Sequence, residues 1–217
     1  SVVLPALTAI AAAAGAQTPE LVSVNSAGTN SGNNISGSVT TGRSPGVSED
    51  GRMAVFESRA TDLMSISDTV GSIDIFVRDM VDHHTELVSV NATGTAAAGG
   101  SDPVISGDGQ WVAFVSGADD LVAQDTSGAV NVFVRDLVGG VTYLASRSHD
   151  GAGGGDGDSE HPVISRDGRW VLFSSEATNL VEEPDLNGRA DLFAWDRDRG
   201  VVEIGRASCR ERVYCEV

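Results

Sequence analysis

Two loops with a shared pattern carry the side chains best suited to bind a metal ion. One loop reads Asp185-Leu-Asn-Gly-Arg-Ala-Asp191, and the other reads Asp125-Thr-Ser-Gly-Ala-Val-Asn131. The candidate ligands are Asp185, Asn187, Asp191, Asp125 and Asn131. Their oxygens suit Ca²⁺, which takes about six to eight hard oxygen ligands, although the early glycine and the lack of a terminal glutamate differ from an EF-hand. Asx turns explain the same residues without a metal, so both interpretations stay open.

Other polar groups are better explained by structure than by chemistry. The run Gly153-Gly-Gly-Asp-Gly-Asp158 resembles one turn of a Gly-Asp calcium repeat, but it occurs once, which favours a flexible loop. The pair His83-His84 has no third ligand at zinc spacing, which indicates an exposed turn, and His161 is interpreted as structural. The pairs Arg78-Asp79 and Arg135-Asp136 recur at one position of a repeat, which favours hydrogen bonds between repeats over catalysis.

Motifs and charge exclude several classes of function. The sequence has no Gly-x-Ser-x-Gly nucleophile elbow, no phosphate-binding glycine loop with lysine and no dinucleotide fingerprint, so we predict that it is not an enzyme. Its basic residues are 14 arginines against 31 acidic residues, which gives a formal net charge of −17. Because nucleic-acid binding depends on neutralising phosphates with basic side chains, nucleic acid is excluded as a partner.

The elements that position these residues come from an internal repeat. Its Asp-Gly pairs begin at Asp50, Asp108 and Asp167, in steps of 58 and 59 residues. The chain's six phenylalanines follow the same period as the pairs Phe56/Phe76, Phe114/Phe133 and Phe173/Phe193. A regular period of this length predicts a repeat architecture.

Each repeat is predicted to form four short strands. In the second repeat, residues 104–106 and 111–116 flank an Asp-Gly turn, and residues 132–134 and 142–146 supply the third and fourth strands. The second strand is apolar on both faces, as a strand between neighbouring sheets must be. No helical periodicity of useful length appears after the N-terminal segment. Four-stranded units that stack around an axis predict an all-β fold of β-propeller blades.

The repeated pattern resembles a known family. The sequence Ser-x-x-Pro-x-Ile-Ser-x-Asp-Gly-Arg-Trp-Val-Ala-Phe, followed by Asp-x-Phe-Val-Arg-Asp, is similar to the WD-repeat-like blades of TolB-type propellers. The resemblance covers residue 21 to about residue 203 and implies a secreted or periplasmic bacterial protein. The first unit departs most, with Gly46 after Pro45 and with Ser67-Asp68-Thr69 where later units have a fuller acidic loop.

The number of repeats predicts an open arrangement. The blades are expected at about residues 44–91, 101–147 and 159–203, within a propeller region over 17–203. The segment Glu20-Leu-Val-Ser-Val-Asn25 repeats at Glu86-Leu-Val-Ser-Val-Asn91, the outer-strand position of a blade, and the resemblance implies that it clasps a last blade. Since propellers close with about four to eight blades, three blades and one N-terminal strand predict an incomplete propeller.

Both ends of the sequence are interpreted as lying outside the fold. Residues 1–16 are apolar and end in Ala14-Gly-Ala16, which is typical of the remnant of a secretory signal and too short to predict a stable membrane span. Residues 204–217 resemble a translated sequencing adapter and contain both cysteines, Cys209 and Cys215. The remaining chain then has no cysteine and a net charge of −18, so no disulfide and no thiolate zinc site are predicted.

These observations give two hypotheses of function. The first is a periplasmic or extracellular scaffold whose propeller faces bind a protein or a cell-envelope component. The second is an accessory or gating propeller of a larger hydrolase or lyase, whose catalytic domain lies beyond this sequence. No cofactor other than the possible calcium is predicted.

Overall fold

The computed structural model describes residues 19–37, 45–66, 72–182 and 188–204, and all its regular elements there are strands. Blade one comprises β1 (Ser36–Gly37), β2 (Gly46–Val47), β3 (Met53–Ser58), β4 (Asp74–Asp79) and β5 (His84–Leu87). Blade two comprises β6 (Ser101–Ile105), β7 (Trp111–Ser116), β8 (Asn131–Asp136) and β9 (Val141–Leu144). Blade three comprises β10 (Ser159–Ile164), β11 (Trp170–Ser175), β12 (Asp191–Asp196) and β13 (Val201–Ile204). The predicted signal segment lies outside the described residues, as does the predicted adapter tail apart from Ile204.

Each blade is an antiparallel meander, in which strands that follow one another in sequence are neighbours. In blade one the inner position is shared by β1 and β2, which both pair with β3. In the other blades the inner strand is continuous but shifts register, between Ser101 and Val104 in β6 and between Glu160 and Val163 in β10. The described chain is therefore all-β and forms three stacked blades of an open, incomplete β-propeller, which confirms the predicted fold.

The phenylalanines pair at the centre of every blade. Phe114 lies opposite Phe133 in the β7–β8 ladder, and the ring centroids are 5.8 Å apart. The corresponding rings of blades one and three are 5.9 and 6.0 Å apart, and all three pairs are stacked. All six rings are at most 3% exposed. The 19- or 20-residue spacing in the sequence thus reports a cross-strand contact that recurs in each blade.

The turn between the first and second strands is built by a serine and an aspartate. In blade one, Ser48 Oγ donates to Asp50 Oδ1 at 2.6 Å and accepts from Met53 N at 2.9 Å. The turn glycine, Gly51, has φ of +75°, a conformation that glycine adopts without steric cost. The same bonds recur in the later blades, from Ser106 to Asp108 and from Ser165 to Asp167. The serine hydrogen bond is the main reason why the pKa of Asp50 lies below its usual value.

Backbone hydrogen bonds join these turns from blade to blade. Glu49 N donates to Gly107 O at 2.9 Å, and Asp108 N donates to Arg166 O at 3.0 Å. Apolar clusters fill the space between the sheets, and one of them joins Val55 of blade one to Phe114 of blade two. The two boundaries between blades therefore repeat the same backbone contacts.

The second strands of blades one and two are buried on both faces, as predicted from their apolar sequence. In blade three, however, Leu172 is 38% exposed, whereas its counterparts Val55 and Ala113 are fully buried. The difference arises because, within the described residues, no further sheet covers blade three. The same local sequence pattern therefore gives different burial at the edge of the stack.

The N-terminal segment occupies the position of an outer strand but does not form a regular strand. Its single bridge joins Val24 to Ser31, as Val90 joins Ala97 in the loop after blade one. Ser26 N donates to Asp62 O, which matches the bond from the loop after blade one to the next blade. Because no third strand lies beside residues 20–25 in the described chain, the backbone there has no ladder to join.

Candidate functional surface

In blades one and two, the polar residue that begins the third strand is held by a serine two residues after the fourth strand. Asn131 Oδ1 accepts a hydrogen bond from Ser146 Oγ at 2.8 Å, and Val132 N donates to the same serine oxygen. In blade one, Asp74 Oδ1 likewise accepts from Ser89 Oγ at 3.0 Å. All these polar side chains are fully buried. They fasten the third strand to the fourth where the ladder begins.

The five candidate calcium ligands differ in how far the protein's own hydrogen bonds already involve their side chains. The amide nitrogen of Asn131 also donates to the carbonyls of Thr126 and Ala129, so its side chain makes three hydrogen bonds within the blade. Asp125 is exposed and its Oδ1 accepts from Ser127 N at 2.8 Å, which is an Asx turn. Asp191 occupies the position of Asn131 in blade three, while Asp185 and Asn187 lie outside the described residues. Calcium binding by these five residues stays a prediction.

The glycine run at residues 153–158 serves close packing in the structure. Gly153 is buried, and its backbone bridges to that of Asp125. A β-carbon at Gly153 would collide with the carbonyl oxygen of Asp125, so only glycine fits there. Asp156, farther along the run, accepts hydrogen bonds from Thr178 N and Oγ1 at 2.6 and 2.7 Å. This run therefore joins the loop after blade two to the next blade.

His83 and His84 lie at an exposed turn and the start of the following strand, and His161 lies within the first strand of blade three. His83 is exposed in a turn with φ of +53°, and its Nδ1 lies 2.8 Å from Glu20 Oε1, while His84 begins β5. His161 precedes Pro162 at the register shift of β10, where it has φ of +58°. Its Nδ1 lies 3.4 Å from Ser174 Oγ. In the described ranges, no three side chains among His, Cys, Asp and Glu come close enough to hold a metal ion, and no helix long and apolar enough to cross a membrane occurs.

The aspartates of the Arg-Asp pairs act within their own blade. Asp79 Oδ2 accepts from Arg52 Nε at 2.8 Å, across the hairpin from the first turn. In blade three, Arg169 donates twice to Asp196, at 3.2 and 3.0 Å. These guanidinium hydrogen bonds are the main reason why the pKa of Asp79 lies well below its usual range and the pKa of Asp196 is also lowered. These contacts tie the turn between the first two strands to the end of the third strand, which gives both aspartates a structural role.

The arginines of the same pairs face the neighbouring blade. Arg78 donates to Thr85 Oγ1 at 2.9 Å, and its Nη2 lies 4.0 Å from Oε1 of Glu20 in the N-terminal segment. Arg135 occupies the same position in blade two and faces Glu86 of blade one; burial lowers its pKa, and the charges of Glu86 and Asp136 oppose that shift. An acid on one blade therefore opposes an arginine on the next.

The boundary between blades two and three breaks this rule. Tyr143 pairs with Val134 as Glu86 pairs with Val77, so it occupies the position of the acid. Trp195 replaces the arginine, and the two ring centroids are 6.2 Å apart. The Nε1 of Trp195 is buried without a hydrogen-bond partner in the described structure, as are the Nε atoms of Arg78 and Arg135. This boundary has an aromatic contact where the others place an acid opposite an arginine, and it keeps a buried donor.

Sequence reasoning missed two features that residue equivalence reveals. The first is this exchange at the boundary, which appears only when Tyr143 and Trp195 are aligned with their counterparts. The second is an Ala-x-x-Leu loop after each second strand, at residues 60–63, 118–121 and 177–180. Its leucines are at most 2% exposed. The threefold recurrence of this loop in the sequence is the signal that could have identified it.

Comparisons with known proteins found similar solved structures but no matching family. No protein-family model and no curated protein matches the chain. It is similar in structure to TolB from Acinetobacter baumannii (TM-score 0.46, 16% identity, 79% of this chain and 32% of that one). It is also similar to a putative TolB from Agrobacterium tumefaciens (0.45, 19%, 79% and 59%) and to the β-propeller domain of the Trilobed protease from Pyrococcus furiosus (0.46, 12%, 74% and 40%). The chain thus spans 32% to 59% of these three chains.

Proposed function

We propose that this chain is a binding scaffold that works in the periplasm or outside the cell and recognises a protein or a cell-envelope component. The observation that carries the proposal is that recurring polar residues form hydrogen bonds within the blades, whereas the residues that vary lie at the rim. Those that recur in the repeat, such as Ser106, Asp108 and Arg135, are engaged by the blades themselves. Those that differ between equivalent positions, such as Tyr143, lie at the outer rim of a blade boundary. A rigid repeat frame with a variable rim is the arrangement that repeat proteins use for binding.

The location outside the cytoplasm is supported by the N-terminal sequence. Residues 1–16 have the apolar character and the small-residue ending of a secretory signal. Replacing the apolar Ile10 and Leu7 by arginine in a precursor that carries this segment should abolish export. Fractionation into cytoplasm, periplasm and medium measures this effect, and unchanged export of the variant would contradict the proposed location.

The binding role can be tested by affinity capture from cell-envelope extract. The matched control is the double variant Phe114→Ala and Phe133→Ala, which empties the centre of blade two without changing the net charge. A partner that recognises the folded surface should be retained by the native chain and lost with the variant, as quantified by mass spectrometry. Recovery of the same proteins by both chains, or of none above background, contradicts the proposal.

The open face of blade three favours a second candidate function. Val163, Leu172 and Leu192 are 54%, 38% and 51% exposed on that face, which leaves an apolar surface for further protein to cover. In an accessory propeller of a hydrolase or lyase, the rest of the same chain would cover this apolar face. The complete reading frame decides between the two, because a frame that ends after the last blade leaves no room for a catalytic domain.

A further inference from the structure

A cleft of about 230 Å³ opens at the rim between blades two and three. Its walls include two aromatic rings, two guanidinium groups and two uncharged polar side chains, contributed by Tyr143, Trp195, Arg147, Arg197, Gln124 and Thr142. Tyr143 is 39% exposed, while Trp195 is 3% exposed. The cleft therefore combines an accessible aromatic ring with cationic groups.

The residues that line this cleft can be compared with the equivalent residues at the boundary between blades one and two. Arg147 is equivalent to Val90, because each forms the backbone bridge in the loop that follows its blade. Arg197 is equivalent to Leu137, because each is the first residue after the third strand of its blade. Two aliphatic residues are thus replaced by arginines, and the acid and arginine of the other boundaries are replaced by Tyr143 and Trp195. Blade stacking needs none of these changes, because the boundary between blades one and two keeps the same backbone hydrogen bonds without them.

The two arginines of the cleft differ in the contacts that their guanidinium groups make. Arg197 donates to Asp198 Oδ1 at 3.1 Å and lies over the ring of Trp111, 4.1 Å from its centroid. Arg147 is half-buried, and its guanidinium forms no hydrogen bond or ion pair within the described part of the chain. An arginine without an acidic partner is notable in a chain with 31 acidic residues, since a partly desolvated guanidinium favours an anion.

We propose that this cleft binds a small carboxylate carried on a six-membered ring. Arg147 binds the carboxylate through charge-assisted hydrogen bonds, with Arg197 contributing positive charge from the same wall. The exposed face of Tyr143 takes the ring, and Gln124 and Thr142 offer hydrogen bonds to its substituents. The volume suits one ring better than a chain of them, because pockets for drug-sized ligands measure roughly 300 to 1,000 Å³.

Ligand-observed NMR titration of the 217-residue chain tests the proposal. The probes are glucuronate and benzoate, which distinguish a hydroxylated ring from an aromatic one, and glucose and benzamide are the uncharged controls. We expect one acid to bind with a dissociation constant on the order of 0.1 to 1 mM. Its uncharged counterpart should bind at least about tenfold more weakly, since it lacks the charge-assisted bonds. If neither acid binds below about 10 mM, the proposal is wrong.

Two variants place the binding in this cleft. Arg147→Val installs the residue found at the preceding boundary and should weaken binding about tenfold or more. Arg199→Gln removes the same charge from an exposed turn and should leave binding unchanged. The double variant Tyr143→Glu and Trp195→Arg installs the acid and the arginine found at the equivalent positions of the other boundaries, so the blades should remain stacked while binding is lost. Binding that survives Arg147→Val and this double variant overturns the proposal.

Discussion

Tyr143 and Trp195 meet across a blade boundary, with their rings tilted by 40°, at the positions where the other boundaries place an acid and an arginine. A second contact extends this pair, because Tyr143 also lies 6.3 Å from the ring of Trp111. Aromatic pairs in such tilted arrangements are mutually stabilising beyond their buried area. The aromatic contacts therefore provide cohesion at a boundary that lacks the acid and the arginine of the others.

The stacked phenylalanines should dominate the stability of each blade. Phe114→Ala is expected to lower the free energy of unfolding by about 3–5 kcal/mol, because it leaves a cavity among fully buried residues. Val138→Ala, at a turn residue that is 79% exposed, is the control and should change it by less than about 0.5 kcal/mol. Denaturant titration followed by circular dichroism measures both values. Equal effects of the two substitutions would show that the pair is not central.

The Arg169–Asp196 pair should make stability depend on pH in acid. Its hydrogen bonds hold the pKa of Asp196 below the ordinary 3.8 of an unfolded chain, so the contribution is fully present above that value. It is lost as the pH falls from 3.8 through the lower pKa of the folded state.

Asp196→Asn should consequently flatten the loss of unfolding free energy between about pH 6 and pH 2. Asp119→Asn removes a carboxylate from an exposed loop and serves as the charge-matched control. Urea titrations across that range give the comparison. A loss in Asp196→Asn as steep as in the native chain contradicts the assignment.

The uncovered face of blade three should make this chain associate with itself. The double variant Leu172→Glu and Leu192→Arg places opposite charges on that face and should raise the monomer fraction. Val138→Glu with Val81→Arg introduces the same charges at exposed turns and should not. Size-exclusion chromatography with light scattering measures the fraction. A native chain that is already a monodisperse monomer with a cooperative melt would refute this expectation.

The calcium prediction has a thermal test. About 5 mM Ca²⁺ should raise the melting temperature and EDTA should reverse the shift, if the Asp/Asn loops supply ligands as weak extracellular sites do. Asp191→Asn should reduce the shift, whereas Asp119→Asn should not. Absence of any shift in the native chain leaves the Asx turn, as seen at Asp125, as the role of these residues.

Local signals in the sequence predicted most of the strands. The Asp-Gly turn at Asp108 and the apolar run that follows it are properties of neighbouring residues, so both can be identified without knowing the fold. The conformation of residues 20–25 does not follow from local sequence. Their sequence repeats that of an outer strand, but a strand also requires a neighbouring strand to pair with. The candidate ligand Asn131 shows the same limit, since its hydrogen bond to Ser146 spans 15 residues.

The sequence by itself determined the repeat, the blade pattern and the 19- or 20-residue spacing of the paired phenylalanines. Only the tertiary structure decided which equivalent residues are covered and which face a cleft. Leu172 and Val55 have the same local context, yet one is exposed and the other is buried. The physical reason is that strand formation follows periodicity within a segment, whereas burial and site geometry depend on the neighbouring sheet, which local sequence does not encode.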